Sequence, residues 1–162
     1  MVRQQQTESL AEINYWLIKS EPEVFGIDHL QAVQTTIWDG IRNYQARNYL
    51  RTTQVGDLAF FYHSNTAITG LAGLCKIIET AVVDPTQFDP ASDYYDASSK
   101  ADNPRWFTVR VQFVQKFPRI ITLDELKLTF TPDELVVVRK GNRLSVMPVS
   151  RAAAQRLLAL AT

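Results

Sequence analysis

The sequence predicts an α+β domain: a mixed, strongly bent sheet of about five to six strands closing into a small barrel, with short helices outside it. Three observations lead there. Short β-branched and aromatic runs alternate with short helical stretches, and the connections are too brief for regular strand–helix–strand crossovers. The run from Leu58 to His63 is apolar on both faces, with Leu58, Phe60 and Tyr62 against Ala59 and Phe61, as in a barrel wall that carries a helix outside. Gly70 and Gly73 interrupt a long apolar strand, where barrels place bulges and bends.

The elements follow in order. Residues 1–12 are polar and Gln-rich, lack the charged-then-apolar layout of a secretion signal, and read as a flexible tail ahead of one domain over residues 13–162. Tyr15 to Ser20 is a strand ended by Glu21-Pro22, and a short helix covers Ile27 to Val33. Thr36 to Trp38 is a brief strand. Asn43 caps a helix over Tyr44 to Thr52, because its side chain can accept from an otherwise unpaired backbone donor. Strands follow at Leu58 to His63 and Ile68 to Thr80. Residues 84–104 hold three prolines among Asp, Ser and Tyr and form a long loop, which in a compact domain tends to be functional or disordered. Trp106 to Gln115 alternates: Phe107, Val109, Val111 and Phe113 on one side, Thr108, Arg110 and Gln112 on the other. Thr122 to Glu125 has the form of a capping box. A last strand from Arg143 to Met147 stops at Pro148, and Ser150 caps a closing helix that buries Ala154, Leu157, Leu158 and Leu160.

Composition excludes several classes. The 162 residues suffice for one core without disulfide or metal, and Cys75, the sole cysteine, sits in an apolar stretch as a buried thiol. No apolar run approaches ~18 residues, so no membrane helix is expected. The 2 histidines, His29 and His63, have no partner at ligand spacing, which argues against a metal site, and no phosphate or dinucleotide loop appears, so no cofactor is expected. With 17 basic and 17 acidic residues the chain is not built to coat nucleic acid, although Arg42, Arg47 and Arg51 cluster, as do Arg139, Lys140 and Arg143. His63 and Ser64 are adjacent on a strand and face opposite ways, so adjacency makes no base–nucleophile pair.

Aromatic residues carry the functional signal. Tyr15, Trp16, Trp38, Tyr44, Tyr49, Tyr62, Tyr94, Tyr95 and Trp106 are many for a small fold, and most fall at element ends or in loops beside polar groups, where rings can stack on a planar ligand. Each is also an ordinary core or rim residue. Tyr44 and Arg47, three apart, share one helical face, and with Asn43 they can meet a phosphate and a base edge.

Tyr15-Trp16-Leu17-Ile18-Lys19-Ser20-Glu21-Pro22 resembles the opening motif of the EVE domain. Trp38-Asp39-Gly40-Ile41-Arg42-Asn43-Tyr44-Gln45-Ala46-Arg47-Asn48 is similar to its second motif, and Gly56-Asp57 through Phe61-Tyr62-His63-Ser64 to its third. Tyr94-Tyr95-Asp96, Lys100, Pro104-Arg105-Trp106 and Arg143 to Ser150 follow in the family's order, so that the likeness spans about residues 13–160. Ala97 stands where the family pattern has proline.

The resemblance implies a PUA-like pseudobarrel, related to the YTH and SRA readers, that binds a modified, flipped-out base in DNA or RNA without catalysis. It implies Trp38 as a cage wall, Ser20 at the mouth and Tyr95 as a closing ring. Asn43, Tyr44 and Arg47 would lie on the sugar–phosphate or base edge, with Arg143 and Ser145 opposite. Trp16, Lys19, Tyr62 and Trp106 complete the expected set. Trp38→Ala is then expected to abolish modification-dependent binding and leave the fold intact. A monomer in the cytoplasm, or the nucleus of a eukaryote, bound to modified nucleic acid and to neither membrane nor metal, is the corresponding expectation. An alternative is a small amidohydrolase acting on a modified nucleoside through Lys19, Glu21 and Tyr62; a third is an interaction protein whose pocket is vestigial.

Overall fold

A computed structural model describes residues 13–162; the tail expected over residues 1–12 lies outside the described residues. Six strands form one mixed sheet in the order β2-β5-β4-β3-β1-β6. They are β1 (Tyr15–Ser20), β2 (Thr35–Ile37), β3 (Leu58–His63), β4 (Gly70–Val83), β5 (Phe107–Thr122) and β6 (Val146–Val149). β1 runs parallel to β3, and every other pairing is antiparallel. Helices α1 (Pro22–Phe25), α2 (Ile27–Val33), α3 (Tyr44–Thr52), α4 (Leu123–Thr129) and α5 (Arg151–Leu160) surround it.

The α+β class and the bent mixed sheet are as the sequence predicts. The hydrogen-bonded closure into a barrel is not: β2 and β6 are the two ends of the strand order, so the sheet stays open. Bending comes from register shifts, one between β3 and β4 and four between β4 and β5. The shift at Leu71/Gly73 has a steric cause. A Cβ on Gly73 would sit 2.5 Å from the Gln115 carbonyl oxygen and 2.6 Å from Ile27, so only glycine lets β5 and α2 approach there.

Both faces of the central strands are covered, as their double apolar pattern predicts. On one face Leu17, Phe60, Leu71 and Met147 meet Leu126 and Leu157 from α4 and α5. On the other, Ile18, Phe61, Cys75 and Val111 meet Leu30 and Leu50 from α2 and α3. Cys75 is fully buried, which pushes its thiol pKa well up and leaves it unreactive.

Several boundaries differ from expectation: β2 lies one residue earlier than Thr36–Trp38, and β4 starts at Gly70 and runs on to Val83. β5 continues to Thr122, because Lys116, Ile121 and Thr122 still pair with β4. Pro148 lies inside β6, opposite Trp16, which an edge strand tolerates because one of its sides carries no ladder. Arg143, Leu144 and Ser145 precede the strand rather than begin it. The caps at Asn43, Thr122 and Ser150 form, each side-chain oxygen accepting from the backbone N–H three residues on, but the reciprocal half of the Thr122 capping box does not, because the Glu125 carboxylate pairs with Arg119.

Candidate functional site

β1 and the bend after β2 open one cleft. β1 ends at Ser20, and consecutive strand residues point to opposite faces, so Lys19 and Ser20 diverge there. The Lys19 N–H donates to the Ser145 carbonyl at 2.9 Å, and the Ser64 N–H donates to that of Ser20 at 2.9 Å, which tie the strand end to its neighbours. The chain after β2 turns at Gly40 (φ +83°), an angle that glycine adopts without strain. The resulting cleft of about 630 Å3 is lined by Ser20, Phe25, Trp38, Asp39, Tyr94 and Ser145, among others. That volume lies within the ~300–1,000 Å3 of small-molecule sites.

Trp38 lines this cleft, as expected, but it is not a free wall. It is only 5% exposed, packs edge-on against Phe61 at 5.3 Å and against Phe25 at 6.3 Å, and its carbonyl accepts a short hydrogen bond from the Thr108 hydroxyl. So small an exposed area cannot be a whole ring face. Trp38 is a floor anchored in the core, and truncating it must cost stability, contrary to the expectation of an intact fold.

The larger aromatic surface belongs to Tyr94, which is 39% exposed and lines the mouth. Its ring lies over Gly40, where a Cβ would come within 2.7 Å of it. Arg42 holds the segment: its Nε and Nη2 donate to the Tyr94 carbonyl at 2.9 and 2.7 Å, and its guanidinium lies 5.8 Å from the Tyr94 ring. Arg42 Nη1 also pairs with Asp84 at 3.0 Å. Asp84 in turn accepts from the Gly40 N–H at 2.9 Å and from the Thr86 hydroxyl and N–H at 2.6 and 2.8 Å. Burial alone would raise the Asp84 pKa, but these donors outweigh it and hold the carboxyl below its usual value. Asp39 shifts the other way: burial, then the nearby Asp84 charge, raise its pKa. Burial lowers the pKa of Lys19.

Of the expected residues, Lys19, Ser20, Trp38, Arg143 and Ser145 come together at this cleft. The others do not line it. Trp16 is buried in the same core as Trp38 but near the start of β1, away from Ser20 at its end, and its indole N–H donates to Asp57 at 3.0 Å. Tyr62 is buried and shares with Lys19 a separate hollow. Asn43 spends its side chain on the Ala46 N–H. Tyr44, Arg47 and Trp106 form their own stack, with Tyr44 parallel to Trp106 at 4.9 Å and Arg47 4.7 Å from the Tyr44 ring. Tyr95 is not among the residues that line the cleft, and its neighbour Tyr94 takes the mouth. Asp39, Arg42 and Tyr94 were absent from the expected set. Each lay inside a quoted motif, but only the folded contact between residues 39–42 and 84–94 shows their role.

Other reactive arrangements are accounted for structurally. His63 Nε2 accepts from the Ile27 N–H at 3.1 Å, and burial lowers its pKa. The Ser20 hydroxyl donates to the Phe25 carbonyl at 2.6 Å. Lys19, Glu21 and Tyr62, the trio of the amidohydrolase alternative, are divided, since Glu21 lines the cleft and Tyr62 the neighbouring hollow. Among the described residues no group of three or more His, Cys, Asp or Glu could hold a metal, and no helix is long and apolar enough to cross a membrane.

A bent mixed sheet with an aromatic-floored, polar-rimmed cleft at the end of β1 defines a ligand-binding α+β domain of the pseudobarrel kind. The chain belongs to the EVE domain family, whose pattern matches residues 14–160. It is similar to thymocyte nuclear protein 1 of Rattus norvegicus, at 46% identity over 91% of this chain and 73% of that protein. Among solved structures, a Pseudomonas syringae protein is 46% identical with a TM-score of 0.88, covering 91% of this chain and 99% of that one. Human THYN1, solved in complex with 5-methylcytosine-containing DNA, is 45% identical with a TM-score of 0.83, covering 91% of this chain and 96% of that one.

Proposed function

We propose that this protein is a non-catalytic reader of a modified base in DNA, holding one flipped-out cytosine that carries a 5-methyl group in the Trp38–Tyr94 cleft. The observation that carries the reading is the open cleft of base-sized volume in a chain 45% identical to a protein solved with 5-methylcytosine DNA. Flipping costs a few kcal/mol, which the pocket must return. Stacking supplies ~1–3 kcal/mol per base, and Tyr94 offers the surface for it. Asp39 is the acceptor suited to the exocyclic amine of cytosine, as carboxylates are in base recognition. The absence of catalysis is supported by the engaged states of Ser20 and His63 and by the division of Lys19, Glu21 and Tyr62. The reading places the protein, as a monomer, wherever DNA is held: the cytoplasm of a bacterium or the nucleus of a eukaryote.

The test is binding to matched duplexes with and without a single 5-methylcytosine, at two salt concentrations. Burying the extra methyl is worth ~0.8 kcal/mol, so the methylated duplex should bind at least ~4-fold more tightly at both salts. Equal affinities at both would overturn the reading.

A further inference from the structure

We propose that the hollow beside the base cleft, bounded by Lys19, Lys127, Arg139 and Lys140, is a second binding site that takes the phosphodiester backbone of the strand carrying the recognised base. The proposal rests on the DNA reading above for the identity of its ligand. The hollow has a volume of about 470 Å3, and four cationic side chains line it with no carboxylate among its walls. The described ion pairs engage Arg42, Arg110, Lys116, Arg119 and Arg156, and none of these four cations. In a chain of zero net charge, such a local excess of positive groups is a focused field rather than a general basic surface.

Three further features fit a polyanion. Gly141, between Lys140 and Asn142, turns with φ +76°, and nothing lies within 4 Å of where its Cβ would stand, so backbone there is open to close approach. The Asn142 side chain donates to the Val136 carbonyl at 3.2 Å and accepts from the Leu144 N–H at 3.0 Å, which holds the cation-bearing turn in shape. The hollow also adjoins the base cleft at Lys19, which lines both, and Arg143, just after Asn142 in the chain, lines the cleft. A strand whose base enters the cleft would bring its adjacent phosphates to Lys19, at the edge of this cationic hollow.

The test pairs Lys127→Gln/Lys140→Gln, two exposed lysines outside the base cleft, with the control Lys76→Gln/Lys100→Gln, two exposed lysines elsewhere. Binding of the full chain to a labelled duplex with one 5-methylcytosine, and to its unmethylated twin, is followed across a salt series, with thermal unfolding as a check on the fold. Each lost phosphate contact lowers the salt slope by about 1, so the first pair should lower it by about 2. It should weaken both duplexes equally and leave their ratio unchanged, while the control keeps the parent slope. An unchanged slope in the first pair, or an equal drop in the control, overturns the proposal. A parent that binds both duplexes equally refutes the base reader, yet the slope comparison on plain DNA still judges the hollow.

Discussion

Removing the Trp38 ring separates stability from recognition. The side chain is 5% exposed and packs on Phe61 and Phe25, so Trp38→Ala leaves a cavity in the core. Such truncations cost ~3–5 kcal/mol, a large share of the ~5–15 kcal/mol that holds a typical domain together. At ~2–4 °C per kcal/mol for a chain of this size, the unfolding midpoint should fall by ~6–20 °C. The effect on binding should be smaller, because so little of the ring faces the cleft. Tyr94→Ala should show the reverse: a midpoint near that of the parent, since 39% of its surface is already in solvent, and an affinity loss of ~5–150-fold from the ~1–3 kcal/mol of lost stacking. The assay is thermal unfolding by circular dichroism, paired with binding to 5-methylcytosine DNA well below both midpoints. A Trp38→Ala protein that melts with the parent would refute the argument from burial. A folded Trp38→Ala protein that loses more affinity than Tyr94→Ala would refute the placement of the stack.

Two further predictions concern ionisation. Asp84→Asn removes the charge that Arg42, Gly40 and Thr86 converge on and should cost ~2–3 kcal/mol, the scale of hydrogen bonds to charged groups; denaturant unfolding measures it, and a loss below ~0.5 kcal/mol would mean the strap is dispensable. Because the Asp84 carboxyl titrates below its unfolded value of ~3.9, its contribution is complete above that pH and disappears as acid reaches the folded pKa. His63 has a lowered folded pKa, so the unfolded chain takes up the proton first: stability should be full above about pH 6.5 and fall as pH drops below it. His63→Gln should flatten that stretch of the curve, and an unchanged slope would rule His63 out as its source.

The architecture was largely legible because it rests on local pattern. The double-faced apolar run at Leu58 to His63, the glycines of β4 and the caps at Asn43 and Ser150 each fix their element through neighbours in sequence. Closure failed as an expectation because it depends on whether β2 and β6 meet, which no local pattern encodes. The cleft was legible in part. Trp38, Ser20, Lys19, Arg143 and Ser145 were named through motifs, and they do converge. The closing ring is expected from the 84–104 loop, with Tyr95 as the candidate, but the loop has no periodicity that tells Tyr95 from Tyr94; in the folded chain Arg42 holds the Tyr94 carbonyl and Tyr94 lines the mouth. Trp16 looked like a ligand residue by its position at a strand start, yet the carboxylate that claims its indole, Asp57, is 41 residues away.

Gln87 gives the long connection between β4 and β5 an unusual character. Its side chain is wholly buried, with its amide nitrogen donating to the Asp84 and Trp106 carbonyls at 2.7 and 2.9 Å and its oxygen accepting from the Trp106 N–H and the Ser99 hydroxyl. One amide thus rivets both ends and the middle of a segment that has hardly any regular structure. The entropy of ordering that segment is spent when the chain folds, not when a ligand arrives. The rim beside Tyr94 is therefore a preset gauge: its aperture is fixed before any ligand arrives.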